Sequence, residues 1–118
     1  MAIISTHTLN SVDGTHAGGV PLQVMKIDAQ SHRTLVLTGA TDEGGRFATE
    51  IDEAEIDSGA AYELVLDVGA YFQPLGLTDE GGRSMFEAVI RFRMPDPAGR
   101  YHMPFMLAPN SYSVWSSR

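Results

Sequence analysis

The sequence predicts an all-β fold: a two-sheet sandwich of about seven short strands with at most one helix. Three observations lead there. Short runs rich in β-branched and aromatic residues recur at regular spacing along the 118 residues. Gly, Pro and Asp turns separate them, from Asp13-Gly14 and Gly18-Gly19 to Asp96-Pro97-Ala98-Gly99. Several runs alternate apolar and polar residues, and a sheet with one apolar face must cover it with a second layer. One domain, 1–118, accounts for the length.

Residues 3–10 are β-branched and read as the first strand, with Thr6 and Thr8 facing away from Ser5, His7 and Leu9. Ser11 to Gly19 is turn material. Val20 to Asp28 is the second strand, with Leu22, Val24 and Lys26 on one face and Gln23, Met25 and Ile27 on the other. Pro21 suits its first residues or a sheet edge. A third strand, Thr34 to Thr41, follows the polar Gln30-Ser31-His32-Arg33 loop. Asp42 to Phe47 is a turn whose glycines supply positive φ and which delivers Arg46 at its exit. The acidic run Glu50 to Asp57 reads as a solvated connection or edge, and Ala61 to Asp67 as an alternating strand. Val68 to Leu75 is ambiguous, because Pro74 limits any helix there to about one or two turns.

Asp79 to Arg83 is a turn, Phe86 to Arg93 a strand, and Asp96 to Gly99 a hairpin turn. The strand Tyr101 to Leu107 then turns through Ala108-Pro109-Asn110-Ser111 into Tyr112-Ser113-Val114-Trp115. A chain that stops three residues after a tryptophan-ended strand implies that the strand's end is held, since free termini fray. Such a pair presents His102 and the hydroxyls of Ser116 and Ser117 together. The string Thr-Asp-Glu-Gly-Gly-Arg occurs at 41–46 and 78–83, but its flanks differ, so turn chemistry explains it better than duplication.

Composition excludes several functions. Fifteen acidic against eight basic residues give a net charge of −7, which disfavours nucleic acid or an anionic membrane as partner. Arg91, Arg93 and Arg100 are too thin a basic grouping to reverse this. Without cysteine there is neither disulfide nor thiolate chemistry. No apolar run approaches the ~18 residues of a membrane span and no leader pattern opens the chain, so a cytoplasmic location is expected. The final Ser-Ser-Arg is not a convincing peroxisomal signal. His7, His16, His32 and His102 have no metal-ligand spacing, so no metal site is expected.

Three polar residues stand out: His7 inside an apolar strand, Arg46 leaving a Gly-Gly turn, and His102 heading an apolar run. Singly, each has an ordinary reading as a hydrogen-bonded strand histidine or a surface charge. Together they suggest a cleft with a titratable base and a fixed cation, which suits hydrolysis of a polarised carbonyl.

The pattern Thr6-His7-Thr8-Leu9-Asn10, Gly14-x-x-Ala17-Gly18-Gly19-Val20, Thr41-Asp42-Glu43-Gly44-Gly45-Arg46 and Tyr101-His102-Met103-Pro104-Phe105-Met106-Leu107-Ala108-Pro109 resembles the transthyretin-related family. Within it the closer likeness is to the 5-hydroxyisourate hydrolases. The resemblance spans essentially the whole chain, and its ending strand is the most specific part. It implies an eight-stranded sandwich with one short helix at Val68–Leu75. It also implies a homotetramer, a dimer of dimers with active sites along the channel between dimers. The implied reaction opens a ring amide of 5-hydroxyisourate, an oxidised purine, with no cofactor. His7, Arg46 and His102 match the family's hallmark residues. By that likeness His102 shuttles the proton, His7 positions water, and Arg46 anchors substrate and steadies negative charge. The family's thyroid-hormone carriers lack this set, which favours an enzyme.

The tail departs from the likeness. The hydrolases typically end Tyr-Arg-Gly-Ser, where this chain has Trp115, Ser116, Ser117 and Arg118, the expected substrate-binding residues. His16 stands where the family usually has proline, and Asn10 where it usually has aspartate. Three accounts of the tail compete. One is drift, with the serines and Arg118 recovering the same groups. Another is a shift to a bulkier, less polar ring such as an N-methylated hydroxyisourate. The last is loss of activity, leaving a non-catalytic small-molecule binder that uses the same channel.

Overall fold

A computed structural model describes residues 1–77 and 84–117. Its strands, in chain order, are β1 (Ala2–Asn10), β2 (Thr15–His16), β3 (Pro21–Ile27), β4 (Arg33–Ala40), β5 (Arg46–Ile51), β6 (Ala61–Asp67), β7 (Glu87–Phe92), β8 (Arg100–His102), β9 (Phe105–Ala108) and β10 (Ser111–Val114). One short helix, α1 (Val68–Phe72), runs into a 3-10 turn at Gln73–Leu75. The strands form two sheets, so the chain is an all-β sandwich.

The first sheet is built around β1. β5 pairs antiparallel along one side of it, from Ala2 with Ile51 to His7 with Arg46, and β2 extends that side with His16 opposite Leu9. β8 and β9 run parallel to β1 on the other side, and β10 closes the sheet antiparallel to β9. β1 alternates strictly: Ala2, Ile4, Thr6, Thr8 and Asn10 are buried, while Ile3, Ser5, His7 and Leu9 are half-buried on the opposite face, as a two-residue period requires. The second sheet has the order β4-β3-β6-β7, all antiparallel. Pro21 is the first residue of its central strand β3, where its missing N–H costs least.

Between the sheets lie Ile4, Val24, Leu64, Leu66, Phe72, Phe105 and Leu107, each with essentially no exposed surface. Each such side chain contributes about 2 kcal/mol of burial. The inward hydroxyls are satisfied, with Thr6 donating to the Met103 carbonyl at 2.6 Å and Thr8 to that of Ala17 at 2.7 Å. Among the described residues no buried side-chain polar atom lacks a partner. Asn10, in place of the expected aspartate, uses both ends of its amide: Oδ1 accepts from Val12 N–H and Nδ2 donates to the Tyr71 hydroxyl. That ties β1 to α1.

Several local expectations are corrected. Among the described residues ten strand segments are present; the two-residue β2 lies in the stretch Ser11 to Gly19 read as turn, and β5 starts in the turn Asp42 to Phe47 and ends in the acidic run read as a connection or edge. β5 was hidden because Arg46, Ala48 and Glu50 face solvent and its apolar side shows only Phe47 and Ile51. Tyr101 to Leu107 is divided into β8 and β9 because Pro104 lacks a ladder N–H. Its register is nonetheless continuous, since Ser5 pairs His102 and Thr8 pairs Phe105 at the same offset. Asp96–Gly99 is not a hairpin turn. It carries the chain from β7 in one sheet to β8 in the other, with Met94 buried at the crossing. β6 does not alternate in burial, because its outward Glu63 and Val65 are covered as well.

Val68–Leu75 resolves as α1 and its 3-10 extension, opened by the Asp67 carboxylate accepting from Ala70 N–H. The expected turn at Asp79–Arg83, the second Thr-Asp-Glu-Gly-Gly-Arg string, and Arg118 lie outside the described residues. Among the described residues no helix is long and apolar enough to cross a membrane.

Candidate active site

The turn before β5 explains how Arg46 is delivered. Asp42 Oδ1 accepts from the N–H groups of Gly44 and Arg46, both at 2.9 Å, while its own N–H and carbonyl bond Arg46 O and Gly45 N. Gly45 has φ 76° and its carbonyl accepts from Thr8 N–H at 2.7 Å. A Cβ at Gly45 would run into the Thr8 carbonyl oxygen, so only glycine fits. The turn is thereby clamped onto β1, and Arg46 emerges directly opposite His7.

The C-terminal tail is placed by the same kind of ladder. β10 pairs Val114 with Phe105, and the register continues past the strand, with Trp115 N–H donating to Pro104 O at 3.3 Å and Ser117 N–H to His102 O at 2.8 Å. The tail is thus held by the sheet as far as Ser117. Paired residues of neighbouring strands share a face, so the outer face of the first sheet carries two rows. One row is Arg46, His7, Pro104 and Trp115; the other is Ala48, Ser5, His102 and Ser117. Strand spacing of about 4.8 Å separates the backbones of Arg46 and Trp115 by roughly 14 Å. Ser116 falls opposite Met103 in this register, on the other side of the extended tail from Ser117.

Hydrogen bonds set the proton positions. His102 Nδ1 lies 2.8 Å from the Ser5 hydroxyl, which leaves Nε2 as its other reactive nitrogen. His7 Nε2 lies 3.1 Å from the Gly44 carbonyl and 3.0 Å from His16 Nδ1. A carbonyl only accepts, so in neutral His7 the proton sits on Nε2 and the lone pair on Nδ1. Burial first, then the Arg46 guanidinium, holds the His7 pKa below its ordinary 6.5, against the opposing Gly44 hydrogen bond; His16 and His102 lower it further. His7 is therefore a neutral imidazole at pH 7. A depression of about 250 Å³ lies over this face, lined by Ser5, Asp42, Arg46, Phe47, Ala48 and His102 among others. Hollows at Pro21–Glu87 and at Ala61–Arg93 are larger, but they contain no histidine.

His7, Arg46 and His102 are thus brought onto one face, joined by Trp115 and Ser117. Two members of the cluster were not singled out as site residues from sequence. Ser5 was already known to share the face of His7 by alternation, but its meeting with His102 depends on a parallel pairing that local patterns do not encode. His16 was noticed only as an oddity. Among the described residues no group of three or more His, Asp or Glu side chains is arranged to hold a metal ion.

Comparison with known proteins yields a consistent set of likenesses. The model of the HIUase/Transthyretin family matches residues 4–116. A protein of Mesorhizobium japonicum named 5-hydroxyisourate hydrolase is 33% identical over 113 residues, covering 95% of this chain and 89% of that one. Sea bream transthyretin, solved in complex with thyroxine, superposes with a TM-score of 0.82 at 29% identity, covering 97% of this chain and 93% of that one. An (S)-allantoin synthase shares the fold with a TM-score of 0.84 at 22% identity; the match takes in 99% of this chain but only 44% of that longer one.

Proposed function

Because this chain belongs to the HIUase/Transthyretin family, we propose that it is a hydrolase that opens a ring amide of 5-hydroxyisourate or an N-methylated relative. The observation that carries this reading is the pair of rows on one sheet face, which sets two histidines with different hydrogen-bond partners beside a guanidinium. Relatives named 5-hydroxyisourate hydrolase, among them one at 33% identity, supply the substrate class.

In the proposed reaction, water lies over the sheet between His7 and His102. His7, neutral with its lone pair on Nδ1, orients that water. His102 takes a water proton at Nε2 as oxygen bonds the carbonyl carbon, while Ser5 holds its Nδ1. Arg46, with no competing ion pair among the described residues, steadies the negative charge that develops on the carbonyl oxygen. The carbon–nitrogen bond then breaks, the leaving nitrogen receives the proton from His102, and a carboxylate remains. No step calls for a metal or organic cofactor.

At the far end of the first row Trp115, 46% exposed, offers an indole where the hydrolases usually carry tyrosine. An apolar plane suits a ring carrying N-methyl groups, so a methylated hydroxyisourate is the preferred substrate in this reading, with Ser117 beside His102 completing the pocket and Ser116, on the opposite face of the tail, taking no part. The working assembly is a cytoplasmic homotetramer with the sheet faces lining the channel between dimers. The likeness to a thyroxine-bound transthyretin favours one alternative, a non-catalytic binder at the same face. The test is turnover by His102→Ala and Arg46→Ala. Each is expected to lose at least about 100-fold in kcat/KM while keeping the native circular dichroism and oligomer. Undiminished turnover removes that residue from the site.

A further inference from the structure

His16 lies at the edge of the two rows, opposite Leu9 in β2 and on the same face as His7. Its hairpin is braced: Asp13 Oδ1 accepts from both the N–H and the hydroxyl of Thr15, at 3.0 and 2.6 Å. The two imidazoles meet edge to edge, with centroids 5.0 Å apart and planes 30° from parallel. His16 Nδ1 is 3.0 Å from His7 Nε2, the nitrogen that also faces the Gly44 carbonyl at 3.1 Å. Since the carbonyl requires that nitrogen to carry hydrogen, His16 Nδ1 is its second acceptor.

We propose that His16 is a positioning residue for the hydrolysis: by accepting from His7 Nε2–H beside the Gly44 carbonyl, it reinforces the His7 tautomer whose Nδ1 carries the lone pair. This rests on the hydrolase reading above. As His7 draws on a water proton, its ring gains positive charge and its Nε2–H becomes a better donor. Two acceptors then stabilise the ring in that state, as outer partners do for histidines held at other sites. A proline at position 16, usual in the family, would offer no side-chain acceptor. Besides His16, the ionisable groups acting on His7 are Arg46 from β5 and His102 from β8. The carboxylates nearby are already engaged, Asp42 on the N–H groups of Gly44 and Arg46, and Asp13 on Thr15.

The test compares the whole wild-type protein with His16→Leu and His16→Asn, the latter keeping an acceptor oxygen near the Nδ1 position. Imidazole nitrogen shifts by NMR report the His7 tautomer without substrate. Steady-state turnover of 5-hydroxyisourate reports its consequence. In His16→Leu the His7 nitrogens are expected to move toward tautomer averaging, and kcat to fall about ten-fold with KM changed by less than about two-fold. His16→Asn should recover most of both. Unchanged His7 nitrogen shifts, or unchanged kcat, in His16→Leu overturns the proposal and leaves the hydrolase reading intact. A wild-type protein without turnover overturns the hydrolase reading instead, and the positioning role with it.

Discussion

His7 and His102 are both strand imidazoles on one face, yet they meet different hydrogen-bond partners. The Gly44 carbonyl fixes hydrogen on Nε2 of His7, whereas His102 meets a hydroxyl that can either give or accept. The Arg46 guanidinium beside His7 penalises its charged form, after burial, so its pKa lies below 6.5. The sign is testable. The His7 titration followed by NMR should have its midpoint below 6.5, and Arg46→Gln should raise it toward that value by removing a neighbouring cation. A midpoint at or above 6.5 in the native protein, or a downward shift in the variant, would contradict this electrostatic picture. At this scale the sequence was partly legible. His7, Arg46 and His102 are visible as polar interruptions of apolar or turn-flanked runs. Ser5 and His16 are not, because what marks them is a neighbour 97 or 9 residues away rather than their own flanks.

The elements carry the site through register. β1 supplies His7 and Ser5, the clamped turn into β5 supplies Arg46, and the continuous ladder from β10 lays the tail along β8. Alternation in β1 is readable from its sequence, since buried Thr6 and Thr8 separate the outward residues. The parallel pairing of β1 with β8 and β9 is not, because partners so far apart in sequence are chosen by the packing of the whole sandwich. The Asp96–Gly99 turn shows the same limit, since a tight turn alone does not reveal whether its flanks share a sheet. β6 shows it in burial. Glu63 is 6% exposed and bonded by Arg91 at 3.0 Å from the neighbouring β7 and by Arg33 at 2.6 Å from β4, one strand beyond β3.

Glu63 also gives the second sheet a pH dependence. Burial alone would raise its pKa, but hydrogen bonds from Arg91 and Arg33, with their charges, hold it below the ordinary 4.5. A depressed carboxylate pKa contributes stability that is complete above 4.5 and is lost as pH falls through the folded-state value. Glu63→Gln is expected to cost about 2 kcal/mol at neutral pH, where charge-assisted bonds are lost. It should also flatten the fall of stability below 4.5. Denaturant unfolding at a series of pH values checks both, and an equally steep acid slope in the variant would sink the assignment.

For the molecule as a whole, a single sandwich leaves the outer face of its first sheet open, with Met106 40% and Trp115 46% exposed near the site. A tetramer that pairs such faces across a channel would enclose the substrate and exclude bulk water, strengthening the electrostatic contribution of Arg46. The overall architecture was legible from turn spacing and alternation, because those follow from backbone chemistry. The substrate class was legible only through family likeness, since the same fold also occurs in a thyroxine-bound transthyretin. The most direct test is the ultraviolet decay of freshly generated 5-hydroxyisourate and of its trimethylated counterpart, with and without the protein. Acceleration above the spontaneous rate is predicted, larger for the methylated compound because Trp115 meets its apolar substituents. Decay of both compounds at the spontaneous rate would contradict the hydrolase assignment and leave a binding protein in its place.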